Sequence, residues 1–455
     1  MKPWLPHVTP RVHQLSKSTQ WYLNPPLLLL VSYAMLIVLG MFLLMVPWAT
    51  VNSITWLQAA FTATSAVTVT GLAVVDTGSQ FTLFGQLVIL LLIQCGGIGL
   101  MTFAILTAVA LGFRLGIQHQ LVAREALNQT SFKAIFHTVR SITSFTLIIE
   151  FFGILILAII WIPELGWKQG LYQGLFYTIS AFNNAGFALS GDSLSRYVSD
   201  TGVVLTITAL YIIGGLGYAV VMEVLERRRY TRLSSYSKLI IQATLVLNIL
   251  SVALFLLLEH ANVNTLGAIN GWWNQLLAAW FQGTTPRTAG FNTLDIGSLT
   301  TATCVFFLLL MFIGGGPNST ASGIKLTTFV VLLAATRSFL RGNLEVTLGR
   351  RSLPVETVIK ALAITTIGMM IVFASVFTLS ALEQAPLLDI SFEVVSAFGT
   401  VGLSRGLTPD LSIFSQLIIM VVMFIGRVGP LSLGYVLTRP NKALVKYPNA
   451  ELPIG

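Results

Sequence analysis

FTATSAVTVTGL, residues 61–72, is too apolar to lie in water and too rich in hydroxyls and glycine for a lipid-facing helix. Three further stretches share its layout: FYTISAFNNAGF (176–187), WFQGTTPRTAGF (280–291) and FEVVSAFGTVGL (392–403). Aligned, each starts with an aromatic residue and has Ser or Thr at the fifth position. Glycine stands at the eleventh position and Leu or Phe follows it. The eleventh-position residues Gly71, Gly186, Gly290 and Gly402 are 115, 104 and 112 residues apart. Internal repetition is read before any single motif. A hairpin loop with a turn glycine would account for one copy. Such a turn needs no hydroxyl six residues upstream and no aromatic ten upstream, so it does not account for a shared register in all four.

Between these stretches the chain is strongly apolar. Of 455 residues, 55% are hydrophobic and 9% are charged, against about 25% charged in soluble proteins. The chain is therefore read as an integral membrane protein. No polar stretch is longer than roughly 30 residues, short of the ~50 that a domain needs. The N-terminal segment MKPWLPHVTPRVHQLSKSTQWYLNPP has basic residues but no small-residue cleavage site, so no removable signal peptide is expected. Cys95 and Cys304 each lie inside an apolar run and form no zinc motif.

Eight apolar runs have the ~20 residues that a crossing requires, near 27–48, 84–113, 142–162, 202–225, 238–258, 300–336, 357–380 and 414–437. Each of the four recurring stretches falls between an odd-numbered run and the next. The expected unit is helix, semi-polar loop, helix. The chain divides into an N-terminal segment 1–23, units at 24–113, 141–225, 238–337 and 356–438, and a C-terminal segment 439–455. Of the 26 basic residues, 20 lie before the first run or after the even-numbered ones. The opposite side holds Lys168, Arg196, Arg287 and Arg405 together with most of the acids. Positive charge stays in the cytoplasm, so both termini are expected there. The basic residues are topogenic, and a nucleic-acid partner is excluded as the meaning of the +9 net charge.

A short helix of about ten residues, ~15 Å long, fits TWLQAAFTATSAV before Gly71 and GLFYTISAF before Gly186. It reaches halfway into the membrane and the chain returns as an extended strand. Backbone of this kind survives only when buried in protein or lining water. The helix aims its partly negative C-terminus at the membrane centre, where it favours a cation. Glycine permits positive φ, so neighbouring carbonyls can turn toward one axis. Four such strands make rings of oxygens able to replace the hydration shell of a cation. The expected fold is all-α, with four helix–pore loop–helix repeats in pseudo-fourfold symmetry about a central pore.

The sixth run is too long for one crossing. Its 37 residues would reach ~55 Å as a helix against a hydrocarbon core of ~30 Å. It must break at GGGPNSTASGIK, residues 314–325. Comparable clusters, Gly96-Gly97-Ile98-Gly99, Gly214-Gly215-Leu216-Gly217 and Gly426-Arg427-Val428-Gly429, are expected to continue as helix, with glycine serving close packing.

These features resemble the Trk/Ktr/HKT superfamily of potassium transporters over residues 24 to 440, and the short N-terminal segment resembles the Ktr-type membrane subunit. The resemblance implies a potassium filter of main-chain carbonyls from Val69, Thr70 and Gly71; Asn184, Ala185 and Gly186; Thr288, Ala289 and Gly290; and Thr400, Val401 and Gly402. In plant relatives a serine at the first glycine position goes with sodium permeation, and here that position is Gly71. The resemblance also implies an intramembrane gate built of Gly314, Gly315, Gly316, Pro317, Asn318, Ser319, Thr320, Ala321, Ser322, Gly323 and Lys325, with Arg427 as a second buried cation at similar depth. It implies a bacterial inner-membrane homodimer and a cytosolic ring of nucleotide-binding KtrA-type subunits that responds to ATP and ADP. Uptake stimulated by sodium is implied too, with no cofactor in the chain itself. The basic inner loops suit lipid headgroups or that cytosolic partner.

Arg287, three residues before Gly290, would repel a cation if it faced one. It is expected behind the filter, paired with an acid. Lys325 and Arg427 have an alternative role as structural partners of Glu150, Glu223 or helix C-termini. Glu150 and Glu223 lie in apolar runs, where acids are functional suspects, although Glu223 borders ERRR and can snorkel to the cytoplasmic face. A secondary carrier for sodium or ammonium, built from inverted repeats, would need loops on alternating sides, and all four fall on one side. An intramembrane enzyme would need a nucleophile–base pair or metal cluster. The chain shows no HExxH, no paired aspartates and no metal spacing among its histidines.

Overall fold

In the computed structural model, residues 25–99, 132–343, 345–348 and 351–429 are described. The expected segments 1–23 and 439–455, and the second half of the run 84–113, lie outside them. Among the described residues the structure is helical. The one strand pairing longer than a single bridge is a small hairpin of Thr347–Leu348 with Arg351–Ser352.

The helices are α1 Pro25–Leu44, α2 Trp56–Thr68, α3 Leu83–Gly97, α4 Phe132–Leu165, α5 Trp167–Phe182, α6 Thr201–Leu216 and α7 Tyr218–Arg227. They continue as α8 Ser235–Glu259, α9 Trp272–Thr284, α10 Thr301–Phe312, α11 Leu326–Leu340, α12 Val355–Leu382, α13 Leu387–Gly399 and α14 Ile413–Val428. Their starts are written in the sequence. Thr55 and Gln58 form a reciprocal capping box on α2. Thr82, Asp200, Ser234, Thr300 and Ser412 each accept a first-turn N–H of the helix that follows.

Val139–Leu165, Ser235–Glu259 and Val355–Leu382 are long and apolar enough to cross a membrane. Helices α6 and α7 together pass the same test but are bent by 100° at Gly217. The remaining apolar helices are shorter. Apolar side chains on α12 point outward, with Phe373 at 74% and Phe377 at 70% exposure, an inversion that suits hydrocarbon rather than water as the surroundings.

The short helices α2, α5, α9 and α13 form the interior. In α2 every residue from Ala59 to Thr68 is buried, and in α13 every residue from Phe392 to Gly399. Burial all round a helix means that it is enclosed by other elements. Four apolar clusters surround these helices in cyclic order. The first joins α1–α3 to Phe176, Ala185 and Phe187. The second joins α4–α6 to Phe281, Ala289 and Phe291. The third joins α8–α10 to Phe392, Val401 and Leu403. The fourth joins α12–α14 to Phe61, Leu72 and Val74, and so returns to the first. Each cluster thus borrows a turn from the next set of helices.

Candidate functional site: four backbone turns around one centre

Each short helix ends in the same backbone turn. Val69, Asn184, Thr288 and Thr400 have left-handed φ of +58°, +59°, +74° and +48°. Two residues later stand Gly71, Gly186, Gly290 and Gly402 with φ from +69° to +92°. The intervening N–H folds back onto its own helix: Thr70 to Ser65 O at 2.8 Å, Ala185 to Ser180 O at 2.7 Å, Ala289 to Thr285 O at 3.0 Å and Val401 to Ser396 O at 2.8 Å. A non-glycine residue in this conformation costs about 1–2 kcal/mol, and a buried turn that repeats it four times is over-determined by its surroundings.

The four glycines are neighbours around one centre, in chain order. A methyl group on Gly186 would come within 2.8 Å of the Gly290 Cα. One on Gly71 would strike the Ala185 carbonyl, one on Gly290 the Val401 carbonyl, and one on Gly402 the Thr70 carbonyl. There is no room for a side chain at any of the four positions.

The carbonyl groups of these turns are the unusual feature. Val69, Thr70, Asn184, Ala185, Thr288, Ala289, Thr400 and Val401 are all 0–1% exposed. Yet none of the twelve carbonyl oxygens from 69–71, 184–186, 288–290 and 400–402 accepts a hydrogen bond from a described residue. Buried carbonyls are nearly always paired, so these need water or a cation. On one side the four glycines border a cavity of about 380 Å3, which Asp76 and Asn292 also line. On the other side a cavity of about 410 Å3 lies between the ends of α3, α5 and α6 and the segment 318–325.

Residues 314–325 do break the long apolar run, as its length required. Ile313 and Ile324 bridge in parallel, so the segment leaves α10 and returns beside itself before α11. Gly316 N–H donates to Gly215 O at 2.9 Å and Leu326 N–H to Gly315 O at 2.9 Å. Lys325 Nζ donates to Ala321 O at 2.6 Å, which closes the loop on itself. Arg427 is the clamp. Its guanidinium donates to Thr320 O and to Ser322 Oγ at 3.0 Å on one side, and to Gly96 O and Gly97 O at the end of α3 on the other. Arg427 thus bonds both a helix C-terminus and the loop, and Lys325 bonds the loop alone. Neither pairs with Glu150 or Glu223.

Several expectations need correction. First, the third stretch is one residue shorter than its alignment assumed. Phe61, Phe176, Phe281 and Phe392 are all fully buried whereas Trp280 is not. Thr285 Oγ1, not Thr284 Oγ1, donates to the Phe291 carbonyl at 2.6 Å, as Ser180 Oγ does to Phe187 O at 2.8 Å. Ser65 and Ser396 instead accept the N–H of Gly71 and Gly402 at 3.0 and 3.1 Å. Two adjacent threonines and two adjacent aromatics hid the deletion.

Second, the glycine clusters do not continue as helix. Helix α3 ends at Gly97, α6 breaks at Gly217 and α14 ends at Val428 before Gly429. Their packing role does hold, because a Cβ on Gly96, Gly214 or Gly426 would strike the carbonyl of Val67, Phe182 or Phe398 at the end of a short helix.

Third, Arg287 has no acid partner among the described residues. It is 9% exposed, and its guanidinium donates to Asn248 Oδ1 at 2.9 Å and Thr244 O at 3.5 Å. Helix α8, which faces it, has no acid before Glu259.

The two suspect acids are held by neutral donors or by surface groups. Glu150 accepts from Gln94 Nε2 at 3.0 Å and Asn183 Nδ2 at 3.2 Å. Glu223 accepts from Ser234 N–H and Oγ, which start α8, and pairs with Arg227 at 3.1 Å. Sequence reasoning missed Glu393, which is buried in α13 and accepts from Ser404 Oγ at 2.8 Å and from Thr408. It also missed that Asp389 pairs with Arg405. No local pattern signals either, since both pairings join α13 to the segment after Gly402.

Enclosed backbone turns with unpaired carbonyls, in an outward-apolar helical body, define an integral membrane protein that handles cations. The family model for the TrkH cation transport protein matches residues 15–243 and 237–447, and the chain belongs to that family of transporters, not to a family of enzymes. It is 47% identical over 443 residues to Ktr system potassium uptake protein B of Bacillus subtilis, covering 97% of this chain and 99% of that protein. The protein of the same name from Vibrio alginolyticus is 42% identical, with 94% and 95% covered. The potassium/sodium uptake protein NtpJ of Enterococcus hirae is 34% identical, with 97% and 99% covered. The crystal structure of the potassium transporter TrkH from Vibrio parahaemolyticus superposes with a TM-score of 0.71 over 94% of this chain and 86% of that one, at 18% identity, a likeness of fold.

Proposed function

We propose that this chain is the potassium-translocating membrane subunit of an uptake system. In this reading the four turns form the selectivity filter and residues 314–325 with Arg427 form the gate. The observation that carries it is the set of twelve carbonyls without a donor among the described residues, eight of them on residues that are 0–1% exposed. Oxygen dipoles of this kind replace the water around an alkali cation without any anionic side chain. The C-termini of α2, α5, α9 and α13 add partial negative charge at the same place.

Four helix–pore loop–helix repeats then give eight crossings, with α10 and α11 as two halves of one. Both termini face the cytoplasm of a bacterial inner membrane, which the bias of the basic residues supports. The names of the relatives from Bacillus subtilis and Vibrio alginolyticus support potassium as the cargo and a multi-component system around the subunit. A homodimer, a KtrA-type nucleotide-binding ring and sodium-stimulated uptake complete the proposal. A carrier for sodium or ammonium is the competing reading.

Potassium or rubidium uptake by a transport-deficient cell expressing the chain, with and without sodium, tests the cargo and the sodium requirement together. Gly290→Ser tests the filter. Its side chain would strike the Val401 carbonyl at a φ of +79°. Discrimination against sodium is expected to fall. Unchanged selectivity and affinity would remove the third turn from the filter.

A further inference from the structure

The second turn differs from the other three in having, at its left-handed residue, a polar side chain that reaches the 314–325 loop. Asn184 is 1% exposed. Its Oδ1 accepts from Thr320 Oγ1 of the 314–325 loop at 2.7 Å. Its Nδ2 donates to Thr288 Oγ1, the equivalent residue of the third turn, at 3.4 Å. One side chain therefore touches the loop and two of the four turns.

Thr320 is fastened from every direction. Its carbonyl accepts from Arg427, its N–H donates to Gly214 O at 3.3 Å, and its hydroxyl lies 3.4 Å from Phe182 O at the end of α5. Gly214 makes this approach possible, because a Cβ there would come within 2.8 Å of Thr320 Oγ1 and 2.9 Å of Asn184 Oδ1. The contact is therefore built from three elements and is not a chance meeting of two side chains. Asparagine tolerates the left-handed backbone that the turn requires better than most residues do, so one residue type meets both demands.

We infer that the chain Thr320–Asn184–Thr288 couples the position of the loop to the shape of the second and third turns, so that Asn184 sets ion discrimination through its side chain as well as its carbonyl. When the loop leaves, Asn184 loses the donor that orients its amide, and its contact with Thr288 is free to change. Opening and selectivity then share one hydrogen-bonded element, the two-state physical link that coupling between sites requires. This rests on the reading of the turns as a filter and the loop as a gate.

The experiment uses Thr320→Val and Thr320→Ser in the full chain, purified and reconstituted in liposomes. Potassium flux and the potassium-to-sodium flux ratio are measured side by side, with deletion of 316–323 as the reference for an absent loop. Valine keeps the shape of threonine and removes the donor, and serine keeps the donor. The expected result is that Thr320→Val raises flux and lowers the ratio about two- to tenfold, the shift that loss of one hydrogen bond gives, and that Thr320→Ser matches the parent. The loop deletion should lower the ratio as well.

Higher flux at an unchanged ratio in Thr320→Val would overturn the coupling and leave the gate reading standing. No change in either quantity would equally overturn it. A loop deletion that fails to raise flux would instead sink the gate itself. Should Thr320→Val not reach the membrane, Thr320→Ala gives the same two readouts at a half-buried position.

Discussion

Arg427→Ala is the sharpest test of the proposed gate. The guanidinium holds the loop through Thr320 O and Ser322 Oγ, and is itself seated on the end of α3 through Gly96 O and Gly97 O. A hydrogen bond from a charged donor contributes about 1.5–3 kcal/mol. The side chain is only half-buried, so the two loop contacts together are worth about 2 kcal/mol after screening. At 1.4 kcal/mol per factor of ten, the closed-to-open ratio should fall about 30-fold. Flux should rise by as much of that factor as closure limits it. Arg427→Lys keeps the charge but cannot reach two elements with a planar fork, so its flux should lie between parent and alanine variant. The assay is initial rubidium uptake in transport-deficient cells, normalised to membrane-inserted protein. Lower uptake at equal expression would refute the clamp, because it would mean that Arg427 supports the open path. Combining Arg427→Ala with deletion of 316–323 should add nothing beyond the deletion. Independent, multiplying effects would show that the two do not belong to one element.

Thr285→Ala should leave the Phe291 carbonyl unpaired and destabilise the third turn by about 1–3 kcal/mol, while Thr285→Ser should behave as the parent. Thermal unfolding of the detergent-solubilised protein checks this, and an unchanged melting temperature in Thr285→Ala would refute the register assigned to the third turn. Arg287→Met removes a buried guanidinium that has only neutral partners among the described residues. Replacing a buried ion pair by well-packed apolar residues is often neutral or stabilising, and removing Arg287 leaves only the neutral Asn248 amide rather than an uncompensated charge, so the melting temperature should hold or rise. A marked fall would mean that Arg287 has a partner beyond Asn248 and Thr244.

The membrane class, the four recurring stretches and the break at 314–325 are all carried by local chemistry. A deficit of charge, a periodic return of aromatic, hydroxyl and glycine, and a run too long for one crossing are properties of residues near one another in the chain. The helix starts at Thr55, Asp200 and Ser412 are legible for the same reason, since a cap binds within three residues. The register of the third turn was not legible. Phe281 and Trp280, like Thr285 and Thr284, are chemically alike, and only burial separates them.

What the tertiary structure decided are the contacts across long chain distances. Closure of Gly402 onto Gly71 joins residues more than three hundred positions apart, and so does the seat of Arg427 on Gly96. Arg287 found an amide and not an acid because α8, rather than a loop with carboxylates, packs behind the third turn. Asn184 meets Thr320 only because the glycine at 214 lets a loop come that close. Sequence by itself determined that the chain belongs in a membrane and that its sixth apolar run must break at 314–325, because solvation of each residue depends on its own chemistry. Which broken segments meet, and which carbonyls are left without a donor, depends on packing between elements, and no local pattern encodes that.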